Sequence, residues 1–259
     1  MENKDIMSGL AKGLATIETF TADSPRQSIA QVAAASGLDR ATARRCLLTL
    51  AHLGFADYDG KFFTLTPRIM RLGTACLATM PLPQIVQPLL DRLSDELGQS
   101  TSVSILDGDE IIYIARAAQR KVMSISLTPG SRLPAYCTSM GRVMLSALPH
   151  DQIDSMVLAD SAGPTDSTGL AARTPNTITD AAVLLAELAR VRDQGYAVID
   201  QEVELGLISI AVPIYDARGR VVAALNIGLS SHHADAGQLA ALYLDKLTAI
   251  QSELRKMLL

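Results

Sequence analysis

Apolar positions along the first part of the chain recur every three to four residues. In SGLAKGLATIETF, Leu10, Leu14 and Ile17 share one helical face, with Ser8 as the cap. SIAQVAAASG reads as a short second helix: Ser28 caps it, Ile29 and Val32 point inward, and Gly37 ends it. In LDRATARRCLLTLAHLG, Asp39 caps a third helix. Ala43, Cys46, Leu47, Leu50 and Leu53 form its buried stripe, and Gly54 stops it. The period then changes. FADYDGKFFTLTP holds two short β-prone runs about Asp59-Gly60, a pair that suits a tight hairpin. Helix, helix, turn, helix, hairpin is the order of a winged helix-turn-helix, assigned to residues 1–66.

Pro67 can open a linker helix over 67–80, with Ile69, Leu72 and Cys76 on one face. MPLPQ then breaks the pattern, because Pro81 and Pro83 interrupt a continuous helix. A second domain, 81–259, opens with a helix striped by Ile85, Leu89, Leu93 and Leu97. Strands are predicted on either side of Asp107-Gly108, in VMSISL, in YAVIDQE, and on both sides of the turn 216–219. Helices are expected from near Thr138, over 152–158, in DAAVLLAELARVRDQG and from about 235 to 257. About six strands, mostly hairpin-linked, with helices at both ends make the fold class α+β.

Composition narrows the function classes. Hydrophobic residues make up 48% of the 259 and charged residues 19%, a globular balance in which no apolar run reaches the roughly 18 residues of a membrane span. MENKDIMSGL has no apolar signal core, so a cytoplasmic protein with no membrane partner is expected. Three cysteines without CxxC spacing, and four histidines without HxxxH or HExxH spacing, give no reason to expect a disulfide framework, a metal or a cofactor. The net charge of −4 is unevenly spread. Residues 1–80 hold nine Lys/Arg against seven Asp/Glu, and the rest is acidic, which is compatible with local DNA contact.

Three stretches could carry chemistry. On the third helix, Arg40, Ala41, Thr42, Arg44, Arg45 and Thr49 lie off the apolar stripe or at the helix start. Arginine can hold guanine bidentately, and threonine can touch a thymine methyl or a phosphate. Ser28 at the preceding helix start and Lys61 beside the hairpin turn would meet the backbone. The sequence leaves open which of Arg44 and Arg45 reads a base. The second stretch is Thr138-Ser139-Met140-Gly141, whose helix start suits an anion such as a carboxylate. The third is Asp200, Glu202 and Glu204, alternating as on a strand face. A hydrolase using Ser139 or this acidic strand is the enzyme alternative. No GxSxG and no well-placed histidine support it, so no catalytic residue is assigned.

MSGLAKGLATIETF, SIAQVAAASGLDRATARRCLLTLAHLGF and GKFFTLTPRIMRLG resemble the DNA-binding domain of the IclR family of bacterial transcription regulators. SRLPAYCTSMGRVMLSALP and RVRDQGYAVIDQEVELGLISIAVPIYDARGRVVAALNI resemble its effector-binding domain. The wording is most similar to the subgroup controlling aromatic-acid catabolism through the β-ketoadipate pathway, with protocatechuate or 4-hydroxybenzoate as effectors. The resemblance implies a winged helix-turn-helix joined by a helix to a GAF/PAS-like sensor with a central antiparallel sheet. It also implies dimers or tetramers on palindromic double-stranded DNA operators, and a small organic acid as effector. By position, Ser139, Met140 and Gly141 would lie at the pocket wall, with Leu207 and Ser209 on one strand and Asn226 on the next. Arg132 and Tyr136 are added for their closeness to the same loop. Two departures stand out: Ile199 where the family often has Asp, and Ile208 where the subgroup often has Arg. Both are expected to make the pocket or its rim more apolar and to favour an aromatic acid over a small oxo-acid.

Overall fold

The computed structural model describes residues 6–21, 23–73, 81–119, 127–153 and 170–258. Its contacts divide the chain into two units, residues 1–79 and 80–259.

In the first unit, α1 (Ser8–Glu18), α2 (Ile29–Ser36) and α3 (Arg40–His52) precede two hairpin strands, β2 (Ala56–Tyr58) and β3 (Phe62–Leu65). Met7, not Ser8, stands at the N-cap of α1, and no side chain caps it. Ser28 and Gln31 form a reciprocal capping box at the start of α2. Gly37 ends that helix at φ 69°, where a side chain would be strained, and Asp39 caps α3 by accepting from Thr42 N at 2.9 Å. These two residues fix the turn of the helix-turn-helix. Val32, Ala33, Ala43, Leu47, Leu50, Ala56 and Phe63 form the core. Leu53, expected in the buried stripe, follows the last turn of α3 and is 48% exposed. The expected loop before α2 contains a short strand, β1 (Arg26–Ser28), which pairs antiparallel with β3 and makes the wing a three-stranded sheet ordered β1-β3-β2. Asp59 shapes the hairpin without positive φ: its Oδ1 accepts from the backbone N–H of Lys61 and Phe62. After a 3₁₀ turn at Pro67–Ile69 the chain is helical at 70–73, and the second half of the expected linker helix, 74–80, lies outside the described residues.

The second unit opens with α4 (Pro81–Leu97), three residues before Gln84, where the sequence pattern began it. Pro81 and Pro83 sit in its first turn, where a missing N–H costs no hydrogen bond. The strands β4 (Ser100–Asp107), β5 (Glu110–Ala117), β6 (Arg132–Pro134), β7 (Ala197–Asp200), β8 (Leu207–Tyr215) and β9 (Val221–Ser230) form one antiparallel sheet ordered β6-β5-β4-β9-β8-β7. β6 was not foreseen, and the expected strand VMSISL lies almost wholly outside the described residues, as does most of the expected helix 152–158. On one face pack α5 (Ser139–Ser146) and α6 (Ala181–Gln194), over a core that includes Tyr113, Met140, Val143, Leu188 and Ala211. On the other pack α4 and α7 (Leu239–Met257), over Val103, Ile114, Ile208, Ile210, Leu225 and Ile227. β8 is covered on both faces, which is why LISIAVPI runs apolar without alternation.

β4 and β5 are joined through a β-bulge. Val103 pairs with Ala115 and Ser104 with Tyr113, so Ile114 is an extra residue. Ile114 and Ala115 therefore both face α4 and α7, and Tyr113 and Arg116 both face α5. A second expectation fails at Asp200, Glu202 and Glu204. The strand ends at Asp200, and residues 201–206 form a turn with Gln201 at φ 58° and Gly206 at φ 85°.

Candidate functional site

In the first unit, Arg40, Ala41, Arg44, Arg45 and Thr49 are exposed on α3. At 100° per residue, Ala41, Arg44 and Arg45 project from one side of the helix, opposite Ala43, Leu47 and Leu50. Among the described residues, no salt bridge engages Arg40, Arg44 or Arg45, whereas Arg26, Arg92, Arg132, Arg142, Arg190 and Arg220 are all paired. Arg44 and Arg45 thus stand free of ion pairs on the outward side of α3, with Arg40 exposed at its start. Thr42 is corrected: it is buried, at 7% exposure, and offers no surface to a ligand of this face. Thr49 donates its hydroxyl to Arg45 O, and Ser28 spends its own on Gln31. Lys61 is exposed at the wing tip, with its Nζ 5.1 Å from the Phe62 ring centroid. Arg26, which the sequence reading passed over, clamps the wing through Asp59 and lies over the Phe62 ring, its Cζ 4.2 Å from the centroid.

In the second unit, the sheet and α5 enclose a small cavity of about 30 Å³, room for roughly two or three waters. Its floor is a row of side chains on three neighbouring strands. Arg116 on β5 stands opposite Ser102 on β4, and Ser102 stands opposite Asn226 on β9. Arg116 Nη1 donates to Ser102 Oγ at 3.0 Å. The next row holds Ser100, Gly228 and Ser209. From above, Ser139 at the start of α5 bonds Ser209, Oγ to Oγ, at 2.9 Å, and Met140 Sδ accepts from Ser104 Oγ at 3.2 Å. Leu133, Val203 and Leu207 supply apolar walls. Two buried polar atoms have no hydrogen-bond partner: Arg116 Nε and Asn226 Oδ1. Burial draws the Arg116 guanidinium below its usual pKa, though an arginine stays charged at neutral pH. Burial also pushes the Tyr113 phenol up to about 12, so it remains neutral beside Arg116.

Of the effector residues expected from sequence, Ser139, Met140, Leu207, Ser209 and Asn226 line this cavity. Three do not. Arg132 is spent on two carboxylates at the sheet edge, Asp107 at 2.8 Å and Glu110 at 2.5 Å. Tyr136 donates its hydroxyl to Ala171 O at 2.5 Å. Gly141 is a packing contact: a Cβ there would stand 2.1 Å from Ala135 O and 2.4 Å from Ala135 Cα. Ile208 faces α4 and α7, on the side of the sheet away from the cavity, so the expected effect on the pocket does not arise there. Ile199 is buried opposite Ser209 and does not line the cavity.

The sequence reading missed Arg116, the one charged side chain of the described lining, together with Tyr113, Ser100 and Val203. Strict alternation puts residues 113 and 116 on opposite faces, and only the bulge reunites them. Also unforeseen is a buried ion pair behind the cavity wall. Arg142, 2% exposed, donates through Nη2 to Glu202 Oε2 at 2.6 Å and through Nε to Tyr136 O at 2.8 Å. Glu202 accepts in turn from Ile178 N. Within the acidic run it is Glu202 that ties the 201–206 turn to α5. Ser139, whose hydroxyl faces Ser209, has no histidine beside it in the cavity lining.

Comparison with known proteins agrees with this geometry. The IclR helix-turn-helix domain model matches residues 9–60, and the model for the C-terminal domain of IclR bacterial transcriptional regulators matches residues 74–253. The Pca regulon regulatory protein of Pseudomonas putida is 43% identical over 251 residues, covering 96% of this chain and 84% of that protein. The p-hydroxybenzoate hydroxylase transcriptional activator of Acinetobacter baylyi is 36% identical over 263 residues, covering 99% and 94%. An IclR homologue from Microbacterium hydrocarbonoxydans, crystallised with 4-hydroxybenzoate, shares the fold with a TM-score of 0.72 at 22% identity, covering 96% of this chain and 98% of that one. The chain belongs to the IclR family and is a DNA-binding transcriptional regulator, not an enzyme.

Proposed function

We propose that this regulator binds a palindromic operator as a homodimer, or as a tetramer of two dimers, in the cytoplasm. An aromatic carboxylic acid held in the cavity of the second unit controls that binding, and the regulated genes serve aromatic catabolism. The observation that carries the effector reading is Arg116, a guanidinium set among hydroxyls and apolar walls in an enclosed space. The names of the two relatives, concerned with the Pca regulon and p-hydroxybenzoate hydroxylase, point to the same ligand class. On the DNA side, unpaired Arg40, Arg44 and Arg45 face outward, flanked by Ala41 and Thr49, with Lys61 at the wing and the α2 start at Ser28 meeting phosphates. Self-association through the first unit is supported by Leu10 and Leu14 on α1, which are 60% and 47% exposed. Ligand and operator would then be linked by a coupling free energy between the two units.

Calorimetry with protocatechuate, 4-hydroxybenzoate and glyoxylate tests the effector class. Binding of an aromatic acid supports the reading, and tight glyoxylate binding with no aromatic binding overturns it. For the DNA face, Arg44→Ala or Arg45→Ala should weaken operator binding by about 1–3 kcal/mol where the side chain reads a base. An unchanged footprint in both variants would remove α3 as the reading helix.

A further inference from the structure

Resting on the reading of the cavity as an acid-binding effector site, we propose that Gln87 is the positioning residue linking occupancy of the cavity to α4, the helix that follows the linker from the DNA-binding unit in the chain. The link is one side-chain bond to the strand that carries Arg116. Gln87 Nε2 donates to Arg116 O at 3.1 Å, and its second hydrogen goes to Asp91 Oδ1 at 2.8 Å. Both hydrogens of the amide are thus spent, one within the helix and one on the strand. Arg116 is held from two sides: its guanidinium lines the cavity, and its carbonyl takes a hydrogen bond from α4.

Beyond Gln87, α4 is anchored. Leu89, Leu90 and Leu93 are buried, Leu90 O accepts from Thr101 Oγ1 at 3.0 Å, and Ser94 donates to Gln99 O. Gln119 closes that end, donating from its side chain to Ser94 and from its backbone to Ser100 of the cavity lining. Ahead of Gln87 the grip is lighter. Only Val86 is buried there; Leu82 and Ile85 are half-buried, and Pro81 and Gln84 are exposed. Pro88 lacks the N–H that would meet Gln84 O, so the helix is one backbone bond short just past Gln87. The first two turns are therefore the part of α4 with freedom to shift, and Gln87 ties them to the sheet.

β5 is least constrained at the same place. β6 pairs with it over residues 110–112, and the bulge at Ile114 interrupts its ladder with β4. The cavity of about 30 Å³ is far smaller than an aromatic acid, so its walls have to part on binding. The Gln87 bond belongs to the closed arrangement, and movement of Arg116 toward an entering carboxylate lengthens it. Filling the cavity then loosens the first two turns of α4. A ligand shifts an equilibrium only through interactions that differ between the two states. Here the differing interaction is one hydrogen bond on the backbone of the residue that meets the acid.

The test uses the full chain with 4-hydroxybenzoate and protocatechuate as probes. In the wild type, amide exchange at residues 85–87 should speed up at least about threefold on saturation with a binding acid, while residues 91–95 keep their protection. In Gln87→Leu, and in the equally large Gln87→Glu, the acid should no longer alter that exchange. Calorimetry should find acid affinity in both variants within about threefold of wild type. The factor by which the acid changes operator affinity should fall at least about threefold toward one. A side chain that merely stabilised α4 would change denaturation and leave that factor intact. Wild-type exchange at 85–87 that is unchanged or slowed by a bound acid overturns the proposal, and needs no variant to fold. So does a coupling factor that survives both substitutions, or acid binding that leaves wild-type operator affinity untouched. Failure of both acids to bind the wild type would instead overturn the effector reading beneath it.

Discussion

Gly141 and Arg142 are adjacent on α5 and hold it to its surroundings in different ways. At Gly141 the constraint is room. A methyl placed 2.1 Å from a backbone carbonyl oxygen cannot be relieved by turning a side chain, so α5 or the 135–138 loop must move. Gly141→Ala should therefore lose about 3 kcal/mol in urea denaturation of the second unit, and a loss near zero would mean that the loop yields freely. At Arg142 the constraint is charge. Arg142→Met leaves the Glu202 carboxylate, itself 6% exposed, buried without its cation. A loss of about 3–5 kcal/mol is expected, largely recovered when Glu202→Leu is added, because removing both charges also removes their desolvation cost. A double variant no better than the single one would show that the pair stabilises beyond its own desolvation.

At the scale of elements, the wing depends on a titrating turn. The N–H of Phe62, the Arg26 guanidinium and the N–H of Lys61 hold the Asp59 carboxyl well below its usual range. Its folded pKa lies below the unfolded 3.8, so its contribution is complete above that value and is lost as pH falls through the folded one. Protection of the Lys61 and Phe62 amides, relative to their intrinsic exchange at each pH, should thus fall on acidification below about pH 4, and Asp59→Asn should remove the dependence. Protection that ignores pH would deny the carboxylate this role. The same turn was legible in the sequence, as were α2 and α3, because Ser28, Gly37 and Asp39 act within a few residues of themselves. β1 and β6 were not. Each is three residues long, and each owes its strand state to a partner more than twenty residues away or across a hairpin edge. Ser139, Ser209 and Asn226 could be placed from resemblance, but Arg116 could not be found from periodicity, since a bulge has no local signature in EIIYIARA. The alternation of Asp200, Glu202 and Glu204 misled for the opposite reason. A polar residue at period two looks solvated, and nothing local announces that Arg142 waits sixty residues upstream.

At the scale of the whole molecule, the two units have separate cores and, under the proposed function, separate ligands. A molecule built this way should unfold in two calorimetric steps. An acid effector at about a hundred times its Kd should stabilise one step by about 2.7 kcal/mol, and operator DNA should shift the other. A single transition moved equally by both ligands would show that the units unfold as one. The bulge at Ile114 has its own consequence for how such a protein can change over generations. Loss of one codon between Tyr113 and Arg116 would restore plain alternation and leave both side chains on the cavity face, whereas a change that straightened the strand at full length would turn Arg116 onto the face packed by α4 and α7. In the second case the cavity would lose its cation with Arg116 itself unchanged. The cavity's lining is therefore written in the pairing of β4 with β5 as well as in residue identity.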